Sequence, residues 1–148
     1  MDEEKGEIYF SASGVNKNED PYLVHYYKIG IDGKNMVALT PEEGNHSALY
    51  TYDYRYLLDT YSKVDAAPVT VLRDAQTGKL VKTLETADIA TLKKHGWVAP
   101  EVFVAKGRDG KTDMWGIIQR PTNFDPNKKY PVIEYIYSGP GDAYTPKS

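Results

Sequence analysis

A chain of 148 residues holds one full domain or two partial ones, and 41% hydrophobic with 12% aromatic residues is enough to build a core. The net charge of −3 comes without a basic patch or a polybasic or amphipathic segment, which argues against nucleic-acid and membrane-surface binding. No apolar run approaches the roughly 18 residues of a bilayer span, and the lack of cysteine excludes disulfides and thiolate metal sites.

The charged start, MDEEK, is expected to fray and shows no signal-peptide pattern, which leaves the compartment open. Glu7 to Ser13 (EIYFSAS) reads as a strand. A polar loop leads to a second strand, Tyr22 to Ile31, closed by the Asp32-Gly33 turn signal. A third runs from Met36 to Thr40 and stops at Pro41. Ala48 to Tyr52 and Tyr56 to Ser62 read as strands around Asp53-Tyr54-Arg55. Pro68 to Asp74 and Lys79 to Leu84 follow around Ala75-Gln76-Thr77-Gly78. Short antiparallel strands in units of about 40 residues carry the period of β-propeller blades. The first unit lacks its opening strand, as expected of a chain that begins inside a blade. Thirteen tyrosines against three phenylalanines predict many half-buried rings with wet hydroxyls.

Ala87 to Gly96 (ADIATLKKHG) is the predicted helix. Asp88 can cap it, Ile89 and Leu92 offer an apolar face, Lys93, Lys94 and His95 suit its C-terminal dipole, and Gly96 ends it. Composition changes here, so residues 1–86 and 87–148 are expected to be separate regions. Glu101 to Gly107 and Thr112 to Arg120 read as a hairpin around an Asp-Gly turn. Two prolines then stiffen PTNFDPN, and Lys128 to Tyr144 (KKYPVIEYIYSGPGDAY) follows. Its Tyr-Pro step holds the chain extended, and Val132 to Tyr137 is a nearly continuous apolar run ended by Gly-Pro-Gly. Inner strands of an α/β sheet read this way and need helices on both faces. About ten residues follow, so the chain is expected to be a piece of a larger protein.

Residues with chemical potential are sparse. There is no G-x-S-x-G, no phosphate-binding glycine loop and no H-E-x-x-H. His25, His46 and His95 lie far apart, and neither a metal site nor a cofactor is expected. His25 reads as a strand-surface residue or a partner to backbone, and His46 as a turn or interstrand hydrogen-bonding residue. Asn45-His46-Ser47 fits the glycosylation pattern, which is loose enough to arise by chance. Asp20, Glu42, Glu43, Asp53, Asp59 and Asp65 read as solvated loop positions. Tyr137 stands apart because it closes a buried-type strand before a Gly-Pro loop. A phenol with a pKa near ~10 keeps its proton at neutral pH and can donate to a developing alkoxide. A sheet-end tyrosine bonding locally is the plainer reading of the same residue.

Lys129-Tyr130-Pro131 through Tyr137-Ser138-Gly139-Pro140 resembles the KYP…YxGP signature of the prolyl oligopeptidase family, most closely its dipeptidyl peptidase IV branch. Residues 1–86 resemble the last blades of that family's propeller, with the first incomplete. Trp97 to Arg120 resembles the hairpin that begins its hydrolase domain, and Asn123-Phe124-Asp125 its connector. The resemblance implies a mainly β chain with one short helix: final propeller blades, then the first strands of an α/β-hydrolase domain. It implies a serine exopeptidase that releases dipeptides from free N-termini, often after proline, with Tyr137 as the oxyanion-hole donor. The serine, acid and histidine of the triad, and the glutamates that hold the substrate's amino terminus, match no position here, so this chain alone is expected to be inactive. Peptide substrates are the implied partners, the complete family member is expected to be periplasmic, secreted or at the cell surface and homodimeric, and this chain is expected to self-associate through open strand edges. Thr51-Tyr52-Asp53-Tyr54-Arg55 departs from the Ser-Pro-Asp-Gly turn of many related propellers. An oligopeptidase or acylaminoacyl peptidase, and a self-contained β-rich binding domain without catalysis, are the alternatives.

Overall fold

The computed structural model describes residues 1–136, 138–139, 142–143 and 145–148. The chain divides into two compact units, Met1–Ala87 with Lys147–Ser148, and Asp88–Pro146.

In the first unit, β1 (Glu7–Ser13), β2 (Val24–Gly30) and β3 (Val37–Ala38) form an antiparallel sheet in that order. A four-stranded meander follows: β4 (Asn45–Tyr50), β5 (Tyr56–Lys63), β6 (Ala66–Asp74) and β7 (Leu80–Thr86). These are the three-strand and four-strand blade units predicted from the repeat. The predicted third strand shrinks to two residues, and β4 begins three residues early to include His46. Side chains alternate across a strand, so Leu57 and Asp59 of β5, and Val71 and Arg73 of β6, turn inward together. Leu39, Leu57 and Ala75 are fully buried, and Tyr9, Tyr26, Val37, Ala48 and Tyr50 pack on them. Burying a side chain such as Leu57 contributes about 1.5–3 kcal/mol. β7 is the outer strand and is exposed at every position.

Gly78 closes the β6–β7 turn at φ 72°, and a Cβ there would stand 2.6 Å from the Ala38 carbonyl oxygen. Both the left-handed backbone and the close approach require glycine. The β4–β5 turn instead places Tyr54 at φ 51°. Thr51 supports it: its carbonyl accepts the Tyr54 N–H at 2.9 Å and its hydroxyl donates to Asp53 at 2.7 Å.

The second unit opens with α1 (Ala90–Lys94), five residues where ten were predicted. Asp88 does serve its start, accepting the Ala90 N–H at 2.8 Å. Leu92 is 52% exposed and α1 buries no residue, so no apolar face extends the helix. Short helices are marginal without such packing. β8 (Glu101–Lys106) and β9 (Asp113–Ile118) form the predicted hairpin, registered from Glu101↔Ile118 to Lys106↔Asp113. In its turn the Thr112 hydroxyl, then the Lys111 and Thr112 N–H groups, bond Asp109 and lower its carboxyl pKa to about 2.

Residues 131–136 do not form the expected inner strand. Val132 is 90% and Ile133 95% exposed. β-rich composition favours a strand only where a neighbouring ladder takes its backbone N–H and C=O groups. β10 (Ser138–Gly139) pairs with β11 (Asp142–Ala143) where a bare turn was predicted. Among the described residues no helix-covered sheet is present in this unit.

Candidate functional site

Inward strand positions normally carry apolar residues, and a charge there needs a partner. His25, His46, Asp59 and Arg73 occupy such positions and are each at most 3% exposed. They meet at the junction of the two sheets. His46 on β4 places Nδ1 2.8 Å from Asp59 Oδ1 and Nε2 2.8 Å from the Glu42 carbonyl. Arg73 on β6 donates from Nε to Asp59 Oδ2 at 2.8 Å, from Nη1 to the Gly78 carbonyl at 3.2 Å, and from Nη2 to the Glu42 carboxylate. His25 on β2 places Nδ1 2.8 Å from the Thr40 carbonyl and Nε2 2.6 Å from Glu19 Oε1. The two imidazole rings lie 4.8 Å apart, and His46 stacks on Tyr61 at 5.0 Å.

A second network ties β1 and β2 to the β6–β7 turn. Lys28 donates from Nζ to the Glu7 carboxylate and to Gln76 Oε1. Gln76 Nε2 donates to Tyr9 Oη at 2.7 Å and to the Tyr54 carbonyl at 3.1 Å, and Tyr9 donates to Glu7 Oε2 at 2.9 Å. Burial pushes the Tyr9 phenol up to about 12, and the adjacent Glu7 carboxylate adds to the rise. Burial also works to raise Glu7, but the Lys28 and Tyr9 hydrogen bonds outweigh it and hold the carboxyl below its ordinary value. The Tyr9, Tyr50 and Tyr54 rings pack at 4.9–5.5 Å. Tyr50 Oη is buried with no hydrogen-bond partner among the described residues, and burial raises its pKa. A cavity of about 500 Å³ opens beside Glu7, Lys28 and Gln76.

Both networks hold the sheets together and neither pairs a nucleophile with a base. Among the described residues no three His, Cys, Asp or Glu side chains are arranged to hold a metal ion. His46 makes the expected interstrand bond, to Asp59 across the β4–β5 pair. His25 is a partner to backbone, and it is buried rather than on the strand surface. Asp59 is not a solvated loop residue: it lies on β5 and is fully buried, because His46 and Arg73 supply the bonds its charge needs. Asp20 is also largely enclosed, accepting the Tyr22 N–H and the Lys147 ammonium. Asp53 and Asp65 are exposed as expected. The Asn45 amide of the glycosylation pattern is engaged, accepting the Val24 N–H at 3.2 Å and donating to Ser148 at 3.2 Å. Tyr137 lies outside the described residues.

Arg73 was missed by the sequence reading. Its signal was available: Val69, Val71 and Arg73 alternate inward, as do Leu57, Asp59 and Tyr61. The register Asp59↔Val71 and Leu57↔Arg73 sets the two opposite charges on a diagonal, within reach of long side chains.

Comparison with known proteins agrees with this architecture. The sequence family described as "Dipeptidyl peptidase IV (DPP IV) N-terminal region" matches residues 1–68. The probable dipeptidyl-aminopeptidase B of Neosartorya fischeri is 31% identical over 146 residues, 95% of this chain and 15% of the relative. The corresponding protein of Penicillium rubens is 30% identical over 146 residues, 95% of this chain and 16% of its own length. The crystal structure of Porphyromonas gingivalis dipeptidyl peptidase 4 superposes with a TM-score of 0.65 at 24% identity, covering 86% of this chain and 18% of that one. The fold is therefore that of antiparallel propeller blades. Over 95% of its length the chain is similar to dipeptidyl-aminopeptidases, its residues 1–68 match the dipeptidyl peptidase IV N-terminal region, and it spans about 15% of the length of the curated relatives it matches.

Proposed function

We propose that these residues serve in a serine exopeptidase that removes dipeptides from the free N-termini of peptides, often after proline. One observation carries the reading: proteins named dipeptidyl-aminopeptidase align with 95% of the chain at about 30% identity. In this reading residues 1–86 supply the last propeller blades, the first incomplete, and residues 87–148 lead into an α/β-hydrolase domain. The blades form a wall stiffened by the Asp59–Arg73 and Glu7–Lys28–Gln76 networks.

Tyr137 is the residue with a chemical role. Attack of the serine on the scissile carbonyl breaks its π bond and leaves an oxyanion. The Tyr137 phenol donates a hydrogen bond to that oxygen, a bond strongest in the transition state, where it lowers the barrier. The triad and the glutamates that bind the substrate's ammonium come from other parts of the longer polypeptide. These 148 residues alone lack a nucleophile in a G-x-S-x-G setting and hydrolyse nothing.

The test uses the longer polypeptide and chromogenic Xaa-Pro substrates with free or acetylated amino termini. The free dipeptide is cleaved and the acetylated one resists, because an amide cannot pair with carboxylates as an ammonium does. Equal cleavage of both contradicts the dipeptidyl reading and favours an acylaminoacyl or oligopeptidase activity.

A further inference from the structure

We propose that His25 and His46 form a proton-dependent clasp between the two sheets of the Met1–Ala87 unit, both rings sitting there as imidazolium. A neutral imidazole offers one N–H and one lone pair. Each of these rings faces two acceptors. His46 Nε2 is 2.8 Å from the Glu42 carbonyl, which can only accept. His46 Nδ1 is 2.8 Å from Asp59 Oδ1, and the Arg73 guanidinium donates to the other oxygen of the same carboxylate at 2.8 Å. His25 Nδ1 faces the Thr40 carbonyl, and Nε2 lies 2.6 Å from Glu19 Oε1. The Asn16 amide donates to the same Glu19 oxygen, so it too is an acceptor. A lone pair on either His46 nitrogen or on His25 Nδ1 would point at another lone pair; the one donor near His25 Nε2, the Asn16 amide at 3.5 Å, is engaged by Glu19 Oε1 at 2.6 Å.

Charge counting gives the same answer. Glu19, Glu42 and Asp59 bring three negative charges to the box and Arg73 one positive. The box is neutral only with two imidazoliums. The other titratable groups against the rings are the phenols of Tyr27 and Tyr61. Burial raises both above the ordinary tyrosine value, so they stay uncharged. Two cationic rings 4.8 Å apart repel, and a carboxylate on each offsets this.

The contact spans the sheets: His25 lies on β2, and His46, Asp59 and Arg73 lie on β4, β5 and β6. In the unfolded chain imidazoles titrate near ~6.5. Above that value the folded chain holds protons that the unfolded chain has released. Stability therefore falls as pH rises, and the junction between the sheets loosens.

The experiment is nitrogen NMR of the 148-residue chain labelled at histidine, with exposed His95 as reference, alongside thermal midpoints from about pH 6 to about pH 8.5. At about pH 7.5 the two buried rings carry protons on both nitrogens, a signature distinct from that of a neutral imidazole with one N–H and one lone pair. The midpoint falls by roughly 5 °C or more across the range, and a His25→Gln, His46→Gln double variant shows a flatter profile. Either buried ring appearing as a single neutral tautomer at about pH 7.5 overturns the proposal, as does a wild-type midpoint that does not move. If the double variant does not fold, the wild-type NMR decides.

Discussion

Arg73 joins β5, the β6–β7 turn and the loop before β4 with one side chain that is 1% exposed. Truncating one member of a buried ion pair leaves the other charge uncompensated, at a cost of about 3–5 kcal/mol. Arg73→Met keeps most of the stem volume, so urea denaturation should show a loss of that size, and a loss under about 1 kcal/mol would mean that Asp59 is satisfied without it. Tyr9 makes a different prediction. Its phenol, raised to about 12 chiefly by burial, keeps its proton in the fold after unfolded tyrosine, ordinarily 10, has lost it. That stability is complete below pH 10 and lost as pH climbs to about 12. Urea midpoints measured over this interval should fall less steeply for Tyr9→Phe than for the wild type. Identical slopes would place Tyr9 outside the alkaline transition.

At the scale of elements, the strands were legible because their signals are local. Alternating residues, Asp32-Gly33 and the turn ending at Gly78 mark β1, β2 and β4 to β7 without knowledge of partners. Residues 131–136 have the composition of a strand, but pairing is a property of the neighbour as well as of the segment, and composition alone could not reveal it. The helix was overread for a related reason: Ile89 and Leu92 give it one narrow stripe, and α1 buries none of its own residues. The buried charges were hidden because each was weighed singly, and Asp59 and Arg73 make sense only as a diagonal pair. Gly78 and Gly33 let the role of one turn be measured. Both sit at positive φ, but a Cβ at Gly33 meets open space and one at Gly78 meets the Ala38 and Leu39 backbone. Gly78→Ala should cost about 1–3 kcal/mol more than Gly33→Ala, the overpacking term alone. Equal costs in thermal or urea unfolding would show that the β6–β7 turn can move away.

For the whole molecule, the propeller-blade character of Met1–Ala87 was readable from a strand repeat of about 40 residues. The role proposed for Tyr137 was only hinted at by physical pattern, because a phenol that ends an apolar run before a Gly-Pro loop can equally bond locally. It rests on the KYP…YSGP resemblance and on the similarity of the chain to dipeptidyl-aminopeptidases. The most direct test is therefore steady-state hydrolysis of an Xaa-Pro chromogenic dipeptide by the longer polypeptide and its Tyr137→Phe variant. The account predicts a kcat lower by about 10²–10³-fold with KM little changed, the loss of one oxyanion donor. A kcat equal to wild type would contradict it.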